Sequence, residues 1–197
     1  DLYWQVHGIN ETYTSQIKPF NAPGNINIAH QQRESLRMPL DTSKYIRKGK
    51  SVIIRRGNHT IQKPIIIPKD YSLNIQGGTK IKLKNDSYIL SFGTVELLGS
   101  NDAPIEISST EKNQGFIVIQ APGKSIISHT QFSGLDRLEE NEWQLTGALT
   151  MYESDVRMNN VTITNNSCED ALNLIRSEFQ IEKLHINNTF ADGFDAD

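Results

Sequence analysis

The sequence predicts an all-β protein, a solenoid of the parallel β-helix type, on three observations. The first is a near-repeat. Gly147-Ala148-Leu149-Thr150-Met151-Tyr152-Glu153-Ser154-Asp155-Val156-Arg157-Met158 is followed, 23 positions on, by Asp170-Ala171-Leu172-Asn173-Leu174-Ile175-Arg176-Ser177-Glu178-Phe179-Gln180-Ile181. A third copy then starts: Asn165 to Asn173 recurs as Asn187 to Asp195, offset by 22. A period in the low twenties marks one supersecondary unit stacked on copies of itself. The second observation is alternation, as in Leu149/Met151, Val156/Met158, Val161/Ile163, Leu172/Leu174, Phe179/Ile181 and Leu184/Ile186. A period of two is that of strands. The third is punctuation by Asn and Gly between these short runs, where chains turn.

Each segment is read in order. Residues 1–48 lack the repeat and are expected to be an N-terminal cap or linker. Pro19 and Asn21-Ala22-Pro23-Gly24-Asn25 read as loop, and Glu34 to Met38 as a short helix. A solenoid exposes the apolar end of its core, which a capping segment covers. The β-helix domain is assigned to residues 49–197. Its coils begin near Ser51-Val52-Ile53-Ile54, turn at Arg56-Gly57-Asn58, and continue through Ile65-Ile66-Ile67-Pro68 and Leu73-Asn74-Ile75. Gly77-Gly78-Thr79-Lys80-Ile81-Lys82-Leu83, Gly93 to Gly99, Pro104 to Ile107, Phe116 to Ile119 and Ser125 to Phe132 follow. Leu135 to Thr146 interrupts the period and reads as an insertion, which in solenoids sits on one face, often the binding face. At the other end, Asp192-Gly193-Phe194-Asp195-Ala196-Asp197 aligns with the start of a repeat. The domain is therefore expected to be incomplete at its C-terminus and to belong to a larger chain.

Composition narrows the function classes. The 197 residues carry a net charge of −3, and with both signs interspersed the sequence argues against a nucleic-acid surface, which needs a basic bias. No apolar run reaches the roughly 18 residues of a membrane span. No signal peptide is visible, and a chain starting at Asp1 is expected to be a processed product. Cys168 is the only thiol, so there is no disulfide framework and no Cys-based zinc site. Sequons at Asn10, Asn58, Asn85, Asn160, Asn165 and Asn187 read first as turn asparagines.

Stacked strands lie about 4.8 Å apart, so outward residues of successive coils form columns. Thr150, Asn173 and Asp195 are expected in one outward column, Tyr152, Ile175 and Asp197 in the next, and Gly147, Asp170 and Asp192 at the preceding turn. Asp170, Asp192 and Asp195 are the candidate metal ligands. Carboxylates at such spacing repel, and calcium suits an oxygen set of this kind; a solvated acidic turn fits the same residues. Paired carboxylates also serve glycoside hydrolysis, which makes Asp192, Asp195 and Asp197 catalytic candidates, with Arg176 as a nearby counter-charge. Asn173, Tyr152 and Trp143 are the candidate substrate contacts, the aromatic rings as platforms for sugars. His59, His129 and His185 form no metal-ligand spacing.

From about Ser51 onward the chain resembles the right-handed parallel β-helix proteins of the pectate-lyase-like superfamily. Within it, the chain is similar to the right-handed β-helix repeat group of carbohydrate-binding and sugar-hydrolysis domains. The likeness rests on Ile65-Ile66-Ile67-Pro68, Gly78-Thr79-Lys80-Ile81, Gly99 to Ile107, Leu145 to Thr150, Glu169 to Asn173 and Asp192 to Asp197. It implies a right-handed, single-stranded helix. Asn188-Thr189 followed by Asp192-Gly193-Phe194-Asp195 is loosely similar to a polygalacturonase signature, but Phe190 and Ala191 interrupt it and the companion motifs are absent. The expectation is an extracellular or cell-surface module that engages polysaccharide along its outer polar face. Two alternatives stand beside it: a polysaccharide lyase or glycoside hydrolase completed by further coils, and a non-catalytic spacer.

Overall fold

A computed structural model describes residues 2–5, 7–16, 45–140 and 143–197; the side chains of Leu2, Glu140 and Trp143 lie outside the described part. The loop and short helix expected between Pro19 and Met38 also lie outside it, as does most of the expected cap. Among the described residues every regular element is a strand.

β1 (Leu2–Gln5) and β2 (Thr12–Ser15) form an antiparallel hairpin on which Trp4 stacks over Tyr13 at 4.7 Å. β3 (Tyr45–Lys48) runs antiparallel to β4 (Ser51–Ile54) and covers its free edge. Six coils follow. Coil one is β4, β5 (Gly57–Ile61) and β6 (Ile65–Ile67); coil two is β7 (Ser72–Gln76), β8 (Thr79–Leu83) and β9 (Ile89–Ser91). Coil three is β10 (Val95–Leu98), β11 (Ile105–Ser108) and β12 (Phe116–Ile119). In coil four a long strand β13 (Ser125–Ser133) replaces the first two, followed by a small hairpin, β14 (Glu139–Glu140) and β15 (Trp143–Gln144), and by β16 (Gly147–Tyr152). Coil five is β17 (Val156–Thr164) and β18 (Asp170–Ile175); coil six is β19 (Phe179–Asn187) and β20 (Asp192–Ala196). Coil stacks on coil by parallel pairing, so the molecule is a parallel β-solenoid.

Three faces result. Face one is β4, β7, β10 and the first halves of β13, β17 and β19. Face two is β5, β8, β11 and the second halves of those strands, and face three is β6, β9, β12, β16, β18 and β20. The inward rows run unbroken: Ile65, Ile89, Phe116, Leu149, Leu172 and Phe194 are in register through all six coils of face three. Leu149, Met151, Leu172 and Leu174 are buried as the alternation requires. Phe194 holds the same phase but is 45% exposed, and Phe179 is 46% exposed. No described strand lies on the far side of β19 and β20, so these rings pack edge to face on each other at 6.0 Å instead of filling an interior.

The corners explain the repeat. From the end of coil three onward each corner is one residue in the left-handed region, and like corners stack. His129, Asn160 and Lys183 (φ 47°, 54°, 58°) divide faces one and two; Gly134, Asn165 and Asn188 (φ 67°, 57°, 52°) end face two; Gln120, Glu153 and Arg176 (φ 48°, 46°, 47°) end face three. A single left-handed residue turns the chain without a loop. The conformation costs an L-residue about 1–2 kcal/mol, and stacking offsets part of it: Asn188 Nδ2 donates to Asn165 Oδ1 at 2.6 Å, and Gln120 Nε2 to Glu153 Oε2 at 2.8 Å. Beside the third corner Ser177 Oγ accepts from the Ser154 amide, and Ser154 Oγ from the Ala121 amide.

The insertion has a structural use. Alternation would leave the outer side of face three polar, yet its outward column reads Ile66, Leu90, Ile117, Thr150, Asn173, Asp195. Leu138 and Leu145 of the insertion, with Tyr88, close over Leu90, Phe92, Ile117, Ile119 and Tyr152 in a second apolar cluster outside the solenoid wall. Buried Asp136 anchors this flap, accepting from the amides of Asn113 at 3.0 Å and Arg137 at 2.9 Å.

Candidate functional site

The expected acidic strip exists as register but not as an open polar strip. Asp170 pairs with Asp192 and Asn173 with Asp195 on adjacent strands. Asp170 and Asn173 are each only 3% exposed, however, while Asp192 is exposed and Asp195 half-buried. The outward, solvent-facing column expected through Thr150 and Asn173 is thus corrected: both side chains face outward and are buried, Asn173 bonded to Thr146 and Asp170 and Thr150 donating to the Gly147 carbonyl at 3.1 Å. Asn173 Nδ2 donates to Thr146 Oγ1 at 2.7 Å and to Asp170 Oδ2 at 2.8 Å, with Asp195 Oδ2 at 3.5 Å. Its Oδ1 is buried without a donor among the described residues. Among those residues no three His, Cys, Asp or Glu side chains form a group that could hold a metal ion.

The other named residues are engaged. Arg176 pairs with Glu153 at 2.9 Å, lies 5.0 Å over the Tyr152 ring, and donates to the Tyr152 hydroxyl. Tyr152 is 9% exposed and packs in the second apolar cluster. Trp143 lies in β15, and its side chain falls outside the described residues. The three coil histidines sit apart: His59 reaches the Arg55 carbonyl at 2.6 Å, His129 occupies a corner, and His185 faces out from face two in register with Thr162.

A different surface has the geometry of a binding site. On face one, the outer side of coils one to three carries a shallow groove of two open depressions, about 480 Å³ and about 630 Å³, whose linings have Lys48 and Ser51 in common. Its hydrogen-bonding residues are Ser51, Ser72, Asn74 and Gln76, with Glu96 in register beside Asn74. Asn74 Nδ2 donates to Ser51 Oγ at 2.6 Å and to Ser72 Oγ at 3.2 Å, which fixes the floor as a polar lattice. Ile53 and Leu98 add aliphatic patches. Charged residues also line it, Lys48, Lys50, Lys69 and Asp70 at one corner and Arg56 and Glu96 at the other. Tyr71 walls the Lys corner and is held by Arg47, whose guanidinium lies 4.7 Å over its ring.

Behind these residues lies a charge pattern that the net value conceals. Residues 45–84 hold ten Lys and Arg against Asp70 alone, a net of +9; residues 85–197 hold six against eighteen Asp and Glu, a net of −12. The even mixing of signs expected from the sequence does not hold. Windowed charge along the chain was the signal that could have found this surface. No protein-family model, curated protein or solved structure matches the chain.

Proposed function

We propose that this solenoid is a polysaccharide-binding module of the extracellular or cell-surface kind, part of a larger chain and akin to the right-handed pectate-lyase-like β-helices, and that the sugar chain lies in the face-one groove. The observation that carries the reading is the floor: Ser51, Ser72, Asn74 and Gln76 present hydroxyls and amides from a rigid parallel sheet. Hydroxyl-rich ligands are recognised by such preset polar groups on regular elements. Ile53 and Leu98 supply apolar contact for the C–H faces of sugar rings. A right-handed winding is supported by the general handedness of parallel strand crossovers. A further coil on β19 and β20 is supported by the apolar rings exposed there.

Affinity electrophoresis against a panel of neutral and acidic polysaccharides tests the reading. Retardation by at least one polymer, weakened tenfold or more by Asn74→Ala while the melting curve stays cooperative, is the expected result. No retardation by any polymer would sink it.

A further inference from the structure

We infer that face two carries covalent sugar: the side-chain amides of Asn58, Asn85, Asn165 and Asn187 are acceptors for N-linked glycans. Asn-x-Ser/Thr triplets are scattered along the sequence, but the fold gathers them. Asn58 lies on β5, Asn85 in the turn that follows β8, Asn165 at the corner that ends face two in coil five, and Asn187 at the end of β19. All four are exposed. Asn160, half-buried, stands at the opposite border of the same face, at the corner between faces one and two. Among the described residues no such triplet starts on face one or face three; Asn10, the remaining one, lies between β1 and β2.

Two observations set these asparagines apart from ordinary turn residues. The first is backbone geometry. Asn85, Asn160 and Asn165 have φ of 54°, 54° and 57°, so the left-handed backbone already accounts for Asn there. Asn58 and Asn187 are strand residues outside that set, and Asn is depleted in strands. The second is the use of Nδ2, the atom that receives the sugar. Asn74, Asn159, Asn166, Asn173 and Asn188, none with Ser or Thr two places on, all donate through Nδ2 to a protein oxygen. Among the described residues the Nδ2 groups of Asn58, Asn85, Asn165 and Asn187 donate to nothing, and Asn165 only accepts, from Asn188. Asn58 is in register with exposed Lys80, and Asn187 with Thr164, so a bulky chain attached there leaves the outer surface without entering the core. The transfer joins Nδ2 to the anomeric carbon of an oligosaccharide carried on a lipid pyrophosphate. The bond from that carbon to the pyrophosphate oxygen breaks, the lipid pyrophosphate leaves, and Nδ2 gives up one proton. Such a donor is met during secretion, in keeping with the extracellular location proposed above; the sugar here is a modification, separate from any ligand of the face-one groove.

The test takes the protein from its natural source and treats it with peptide-N-glycosidase in heavy-oxygen water, which converts each glycan-bearing Asn to labelled Asp. Peptide mass spectrometry then reads the sites. The expected result is label at Asn58 and Asn187 in at least half of the molecules, and little at half-buried Asn160. Unmodified asparagine at all four positions would overturn the inference. Label at Asn10 alone would show that the donor was met and would overturn the assignment to face two. In the chain secreted from a eukaryotic cell, Asn58→Gln and Asn187→Gln should each remove one step of the mobility shift that the glycosidase collapses. After deglycosylation both variants should melt as the wild type does. A large loss of melting temperature in either would make that asparagine a structural residue and overturn its assignment as an acceptor.

Discussion

Cys168 shows what burial does to a reactive side chain. Its thiol donates to the Asp170 carbonyl at 3.2 Å, and its pKa is pushed up to about 11, above all by burial; the Asn166 hydrogen bond opposes the rise, and the nearby charges of Asp136 and Asp170 add to it by smaller amounts. Native protein should resist a disulfide reagent at pH 8 that labels the unfolded chain completely. The sign of the pH dependence follows. The unfolded thiol loses its proton near 9.0 and the folded one near 11, so between those values the folded state binds more protons and stability falls as pH rises. Urea melts of wild type and Cys168→Ala at pH 8 and 10 should converge toward the variant's favour at the higher pH. Asn173 illustrates the opposite case, a buried group whose loss strands another. Asn173→Leu leaves the buried Asp170 carboxylate without its side-chain donor, and should cost about 3 kcal/mol in chemical denaturation, against a few tenths for a change at exposed Gln180. At the corners, Asn160→Val should cost more than Asn159→Val, since a β-branched residue is an outlier at positive φ.

At the scale of strands and flaps, two glycines are set by close approach or conformation. A Cβ on Gly93 would lie 1.6 Å from the Tyr71 carbonyl oxygen, and Gly134 combines φ +67° with the Ser109 carbonyl at 2.1 Å. Gly93→Ala should therefore lower stability by about 3 kcal/mol or more and, by moving the wall at Tyr71, disturb the groove. Leu172→Ala in the closed interior should cost about 2–5 kcal/mol. Phe179→Ala and Ile181→Ala, which the sequence places in the same interior, should cost less, because β19 is covered on one side only. The strands were legible in the sequence for a physical reason: one side is buried, so alternation survives in Leu149/Met151 and Leu172/Leu174. The second apolar cluster was less legible, although Phe116-Ile117-Val118-Ile119 carried its mark. An unbroken apolar run means a strand buried on both sides. The corners were hidden because Glu153, Arg176 and Lys183 are not residue types that favour left-handed backbone; only their stacking selects it.

Taken whole, the solenoid should unfold from its ends. Stability in stacked repeats is a sum of neighbour terms, and among the described residues coil six has a coil on one side alone. Hydrogen exchange should show amides of β19 and β20 opening before those of β10, β12 and β13, by a factor of ten or more; uniform protection through all six coils would contradict this. The candidate site was hidden at this same scale. Ser72, Asn74 and Gln76 read as an ordinary polar strand face, and only stacking brings Ser51, Lys48 and Arg56 beside them. The carboxylates that drew attention in the sequence, Asp170, Asp192 and Asp195, lie at the far end of the molecule from that groove.

The segregation of charge between early and late coils also makes the molecule an electric dipole. The centres of the +9 and −12 regions stand about three strand spacings apart along the stack, roughly 14 Å at 4.8 Å per coil. Such a particle does not behave as its pI of about 6.0 implies. Near that pH, in low salt, it should be retained on cation-exchange and anion-exchange resins alike, each gripping one end. Beside any negatively charged surface such a particle would stand rather than lie, basic coils toward the surface and acidic coils facing the solvent.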